Sequence, residues 1–276
     1  MSRKIIICAD DYAQNEAISE GILLLVQNKR INAVSCLVNL PHWKKAHAEL
    51  RRIRKDIFIG LHINLSFGKA VSGAWQKIYA PNFEHFLSLT KQSYLRRLDK
   101  ECVEAEICAQ LDTFINSTGI PPDFIDGHQH IHQFPIIRDA LISVYKQKNL
   151  TAFCRSTSNN LKDLFDFNFP KRQAITLLGG FKLKTLLNEQ AIPTNSSFAG
   201  IYNFASAKNY RYYFRQFLKQ TRSGGLIMCH PGNRSNDLND PLYHYRHYEL
   251  DYFMSDAFLS DLHEQQCRLQ CKSEVI

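Results

Sequence analysis

The sequence predicts an α/β fold: a (β/α) barrel with a mostly parallel central sheet. Two observations carry this. Short apolar runs alternate with amphipathic helical stretches, the pattern of βαβ units whose right-handed crossovers make strands parallel. The unusual polar residues then fall at the C-terminal ends of those runs: Asp10-Asp11, His62, His128 to His132, Arg155 and His230. In a (β/α) barrel that rim is where active sites assemble. An open doubly wound sheet would also line them along one edge, but a barrel converges them better.

The elements follow in order. Ile5 to Ala9 is a continuous apolar run, as in a strand buried on both faces, and stops at Asp10-Asp11-Tyr12. Asn15 can cap the next helix, whose apolar side is Ile18, Ile22, Leu23, Leu25 and Val26. Residues 33–38 form a second strand, Pro41 opens a second helix, and residues 57–65 form a third strand carrying Gly60-Leu61-His62. Residues 66–90 lack periodicity, contain Gly68, Gly73 and Pro81, and are expected as a packed functional loop. Its aromatics Trp75, Tyr79, Phe83 and Phe86 would offer stacking surface to a ligand or close the barrel top as core. Residues 91–117 read as one long helix, 123–126 as a strand, 135–148 as a helix and 151–155 as a strand. In residues 156–197, turn signals at Asn159-Asn160 and Gly179-Gly180 suggest short helical pieces. A strand at 198–204, a helix at 208–221, a strand at 225–230, a polar loop at 233–247 and a helix at 249–264 complete the pattern.

The 276 residues are expected as a single domain, 1–276, since α/β barrels reach this size undivided. Hydrophobic content of 45% and aromatic content of 12% supply a core and exclude a disordered chain. The net charge of +8 is dispersed. Its densest cluster, Arg51-Arg52-Ile53-Arg54-Lys55, sits at a helix end where cations are favoured, so no nucleic-acid partner is expected. The eight cysteines contain no CxxC pair, and Cys8, Cys36, Cys154 and Cys229 lie in apolar strands. That usage fits a reducing, cytoplasmic setting. The run Ile5 to Ala9 is too short for a signal peptide, and no stretch approaches the roughly 18 apolar residues of a transmembrane helix.

Three histidines at alternate positions, His128, His130 and His132, follow Asp126. In an extended chain they would share a face, and in a helix His128 and His132 would. Neutral imidazole is a ligand for borderline divalent metals. Asp10 and Asp11 would point apart in a regular strand, but where the backbone turns both can reach one site. A metal then resolves their repulsion, one carboxylate ligating and the other staying free as a base. Asp11, His62 and His128 make a three-ligand set that leaves positions open for water and substrate. Asp126 or Asn64 could hold an imidazole in its tautomer. His230, on another strand, could give a proton to a leaving group. Arg155 would steer an anionic or hydroxyl-rich group, or pair with an acid.

Four blocks carry a resemblance. Ala9-Asp10-Asp11-Tyr12, Gly60-Leu61-His62, Ile125-Asp126-Gly127-His128-Gln129-His130-Ile131-His132-Gln133-Phe134-Pro135 and Met228-Cys229-His230-Pro231 together resemble the YdjC-like carbohydrate deacetylases, with their chitooligosaccharide and hopanoid-associated branches. The resemblance implies a distorted TIM-like barrel and one divalent cation, Mg²⁺ or Zn²⁺. It also implies hydrolysis of N-acetyl groups on an amino sugar or oligosaccharide, and admits a homodimer. By position Asp11, His62 and His128 match the metal ligands, Asp10 the base and His230 the acid. His130, His132, Asp126, Arg155 and Trp75 become supporting or substrate-binding candidates. Tyr12 stands where the family usually has Phe, and Gln129 where a second His is common. Two rival readings are a metal-dependent phosphoesterase on a similar barrel and a non-catalytic carbohydrate-binding protein. The phosphoesterase lacks its early H-x-H block here, and retention of Asp10 and His230 argues against the binding protein.

Overall fold

The computed structural model describes residues 2–158 and 176–274. Eight strands appear among them: β1 (Arg3–Tyr12), β2 (Ala33–Cys36), β3 (Phe58–Ile63), β4 (Phe124–Gly127), β5 (Phe153–Cys154), β6 (Phe198–Ala199), β7 (Gly225–Cys229) and β8 (Cys267–Leu269). They pair in the order β5-β4-β3-β2-β1-β7-β6, every ladder parallel, with β8 beside the start of β1. A single parallel bridge, Cys154 to Thr194, links β5 to the segment leading into β6. The result is a distorted TIM-like barrel, as the alternation predicts.

Side-chain alternation sorts the strands into two buried sets. Ile6, Cys8, Ala33, Phe58, Phe124, Phe198, Leu226 and Met228 form one cluster, the plug inside the barrel. Ile5, Ile7, Ala9, Val34, Ile59, Leu61, Ile125 and Ile227 belong to the other, which packs under the helices. The inward series continues at the C-terminal ends with polar residues. Asp10 follows Ile6 and Cys8, Ser35 follows Ala33, His62 follows Phe58 and Gly60, Asp126 follows Phe124, and His230 follows Leu226 and Met228. The barrel thus has an apolar floor and a polar top layer.

The α-helices among the described residues are α1 (Glu16–Gln27), α2 (Trp43–Ile53), α3 (Gly73–Ile78), α4 (Phe86–Tyr94), α5 (Lys100–Thr118), α6 (Ile137–Gln147), α7 (Phe181–Glu189), α8 (Tyr210–Gln220), α9 (Arg246–Met254) and α10 (Asp256–Glu264). Asn15 caps α1 as expected, its side chain accepting from the Ile18 N–H at 3.0 Å. The helix expected over 91–117 is instead two. Arg96 takes a positive φ of 53° and Asp99 starts α5 by capping the Cys102 N–H at 2.8 Å. The helix expected over 249–264 breaks at Ser255, whose backbone is extended. The strand expected over 198–204 is only β6. Strand β8 was not expected, since three residues show too little periodicity to read. The turn at Asn159-Asn160 lies outside the described residues. No helix among the described residues is long and apolar enough to cross a membrane.

Candidate active site

Asp10 and Asp11 reach one site because β1 is irregular there. Its register against β2 shifts between Ala9 and Tyr12, and Asp11 takes a left-handed φ of 67°. Such a bulge re-aims side chains, and Asp tolerates this region better than most residues. Asp10 keeps its inward place while Asp11 is swung towards the rim.

β3 and β4 are paired so that His62 lies opposite Asp126. His62 Nδ1 is 2.5 Å from Asp126 Oδ1, and the Ser35 hydroxyl donates to the same oxygen at 2.5 Å. With Nδ1 so engaged, Nε2 faces Asp11 Oδ1 at 3.6 Å. Asn64, the other candidate for this role, instead pins the next loop. Its amide donates to Phe67 O at 2.7 Å and its Oδ1 accepts from Ser66 and Phe67 N–H.

After β4 the chain neither stays extended nor forms a regular helix. Residues 128–133 make irregular 3₁₀ turns, with Gln129 and His130 at φ of 53° and 60°. Gly127 permits this, since a Cβ there would lie 2.8 Å from His132 N. The three histidines therefore separate rather than sharing a face. His128 Nδ1 is 2.9 Å from Asp11 Oδ1. His130 turns to the cavity wall and packs edge-on to Phe198. His132 is wholly buried, with Nε2 2.9 Å from the Arg155 carbonyl oxygen.

Asp11, His62 and His128 each offer one ligand atom, all within 4.8 Å of one another. Two ligand atoms each about 2.0–2.2 Å from one ion, at tetrahedral or octahedral angles, lie roughly 3.0–3.5 Å apart. The separations of 2.9 and 3.6 Å to Asp11 Oδ1 bracket that range. One carboxylate and two imidazoles, one of them braced by a carboxylate behind it, are donors that suit a divalent ion. A second acidic group, Cys8, Asp10 and Asp126, also lies close together, but its cation is already a side chain. Arg155 reaches both Asp10 oxygens and Asp126 Oδ2 at 2.6 Å. Arg155 is fully buried and does not line the cavity around Asp10 and His62, so of its two expected roles it takes the pairing with acids, ordering Asp10 and Asp126.

Electrostatics follow from this packing. Burial would raise Asp11, but His128 and Arg246 beside it hold its carboxyl well below the usual carboxylate range. Burial would lower His62, but Asp126 outweighs it and leaves the imidazole above its ordinary value. Burial pushes His230 down to about 4. Asp10, Asp11, His62, His128, His130 and His230 line one cavity of about 500 Å³, whose remaining wall is largely apolar: Phe67, Phe86, Ile201, Phe204, Leu238 and Leu242. Trp75 is not part of it. It packs in the core against Tyr79 and Phe83, with ring centroids 4.7 and 5.1 Å away, because the short helix α3 lays its one buried side against α5. Of the four aromatics expected there, only Phe86 lines the cavity.

A family model described as YdjC-like protein matches residues 4–264. The chain belongs to the YdjC-like family. It is 32% identical over 152 residues to a carbohydrate deacetylase of Danio rerio, a match covering 54% of this chain and 48% of that one. It is 25% identical over 150 residues to a chitooligosaccharide deacetylase of Yersinia enterocolitica, covering 54% and 58%. The chain thus spans about half the length of these curated relatives. A solved protein of Enterococcus faecalis V583, provisionally named a cellobiose-phosphate cleavage protein, shares the fold over 98% of both chains, with a TM-score of 0.74 and 19% identity.

Sequence reading missed Ser35, Arg246, Asp240 and Glu249. Ser35 was findable, as the inward residue after Ala33. Arg246 and Asp240 come from the polar loop and its exit, which carry no periodic signal. Glu249 lies on α9 and accepts from the His230 N–H at 2.6 Å and the Tyr202 hydroxyl at 2.7 Å.

Proposed function

We propose that this YdjC-like protein is a metal-dependent hydrolase that removes N-acetyl groups from an amino sugar or oligosaccharide. The observation that carries the reading is the convergence of Asp11, His62 and His128 beside Asp10 and His230 on one cavity. The deacetylase names of the relatives support it.

Asp11, His62 and His128 would hold the ion, Zn²⁺ or Mg²⁺. When bound it supplies a polarised acyl carbonyl and a water of lowered pKa. Asp10, oriented by the Arg155 guanidinium on both its oxygens, takes a proton from the attacking water. His230 faces the same cavity from β7 and gives a proton to the departing amine nitrogen. Its low basicity makes it a strong acid once protonated, and the proton lost by water balances the one gained by the amine. Acetate and a free amino sugar result. The apolar wall would receive the less polar face of the sugar ring.

The phosphoesterase alternative often uses a second metal. The only other acidic group close enough, among the described residues, is filled by the Arg155 guanidinium. Acetate release from N-acetylglucosamine oligomers, with phosphate release from phosphate esters as the contrast, tests the reading. Asp10→Asn should keep metal and lose turnover, while His128→Ala should lose metal. A fully active Asp10→Asn enzyme would overturn the assignment of the base.

A further inference from the structure

Arg246 is tied to Asp240 through Nε at 2.7 Å and Nη2 at 2.9 Å, and Nη2 also meets Asp11 Oδ2 at 2.9 Å and Gln14 Oε1 at 3.5 Å. It lines the cavity while only 2% exposed. Its remaining nitrogen, Nη1, is buried and has no hydrogen-bond partner among the described residues. A buried donor on a charged group is costly to leave unmet. Two more unmet buried nitrogens border the same cavity, His130 Nδ1 and His230 Nδ1. The free donor belongs to a guanidinium that lines the cavity and grips, through its other terminal nitrogen, the far oxygen of Asp11, a proposed metal ligand.

We propose that Arg246 Nη1 donates a hydrogen bond to the acyl oxygen of the substrate, and after hydrolysis to a carboxylate oxygen of acetate. A guanidinium N–H favours an oxygen that carries negative charge over a hydroxyl, because charge-assisted bonds are about twice as strong as neutral ones. The contact therefore strengthens as charge develops on the acyl oxygen, and survives in the product complex. Asp240 is the positioning partner. It holds the guanidinium through Nε and Nη2 and closes its own turn by accepting from the Leu242 N–H at 3.1 Å.

This inference rests on the deacetylase reading for its ligand, but acetate binding tests it without turnover. Acetate is titrated calorimetrically into zinc-loaded wild type and Arg246→Lys, with zinc content measured in both. The expected result is retained zinc with acetate affinity weakened about tenfold or more, the loss of one charge-assisted bond. Equal acetate affinity in the two proteins, no acetate binding by wild type, or loss of zinc from the variant overturns it. Zinc loss would make Arg246 only a support for Asp11. If Arg246→Lys does not fold, side-chain NMR of ¹⁵N-arginine in the wild type replaces it. The Arg246 signal should move on acetate addition, and an unmoved signal overturns the proposal. A wild type that binds acetate through Arg246 but hydrolyses no N-acetyl sugar would refute the deacetylase reading while leaving this contact standing.

Discussion

Arg155 is forked onto Asp10, Nη1 to Oδ2 and Nη2 to Oδ1, both at 2.6 Å, inside the barrel and out of reach of solvent. The same guanidinium meets Asp126, which in turn holds His62. One arginine thus links the carboxylate proposed as base to the support of a proposed metal ligand. Removing it leaves two buried carboxylates with no cation. Arg155→Ala should lose about 3–5 kcal/mol of stability, as broken buried ion pairs do. Urea unfolding measures this, and a loss under about 1 kcal/mol would place the fork outside the stabilising core of the protein.

Asp126 acts on His62 from behind, and Ser35 donates to the same oxygen. Asp126→Asn should weaken metal binding by about 10- to 100-fold, the usual effect of losing a carboxylate that orients a ligating imidazole. Ser35→Ala should weaken it less. Competition with a chromogenic chelator reads both, and unchanged affinity in Asp126→Asn would contradict the support role.

Glu249 gives a pH signature. Burial is the main cause that raises its carboxyl from 4.5 to about 7 in the folded protein. A group whose folded pKa is raised is most favourable to folding below its unfolded pKa. That contribution is lost as pH rises through the folded value. Wild type should therefore lose stability relative to Glu249→Gln between about pH 4.5 and pH 7. Denaturant midpoints for the two proteins at pH 5 and pH 8 test this. A stability difference that does not change with pH would contradict the shift.

Glu106 is buried on α5 and accepts the backbone N–H groups of Val71 and Ser72 at 3.0 and 2.7 Å. Gln110, one turn on, clamps both backbone groups of Asn64. These side chains seat the loop that brings Ser66 and Phe67 to the cavity. Glu106→Ala strands the buried Ser72 N–H and the partly buried Val71 N–H and should cost about 1–3 kcal/mol for the buried donor, with less for the other. KM should rise more than kcat falls, since the loop lines the cavity but supplies none of the groups proposed to react. A kcat loss with KM unchanged would contradict that division.

Much of this site is legible because strand alternation has a fixed period. Asp10 above Cys8, His62 above Gly60, Asp126 above Phe124 and His230 above Met228 share the inward face of the apolar plug. Their convergence follows from counting by two. Asp11 escapes that count, since it enters only through a bulge with φ of 67°, a local backbone choice that periodicity does not encode. His130 and His132 escape it too, because two left-handed residues break the extended geometry just where alternation would have grouped them. Trp75 shows that an aromatic-rich loop does not announce which rings face a ligand. Arg246 meets Asp11 across 235 residues, a pairing visible only once the polar loop has been folded over the rim.

The central claim is that Asp11, His62 and His128 hold one divalent ion that the enzyme uses to release acetate. The direct measurement strips the purified protein of metal, reloads it with Zn²⁺ or Mg²⁺, and follows metal stoichiometry and acetate release from N-acetylglucosamine oligomers together. One ion per chain is expected, with no acetate from stripped protein, acetate and free amine in equal amounts after reloading, and neither ion nor acetate with His128→Ala. Full acetate release by stripped protein, or a bound ion retained in His128→Ala, would contradict it.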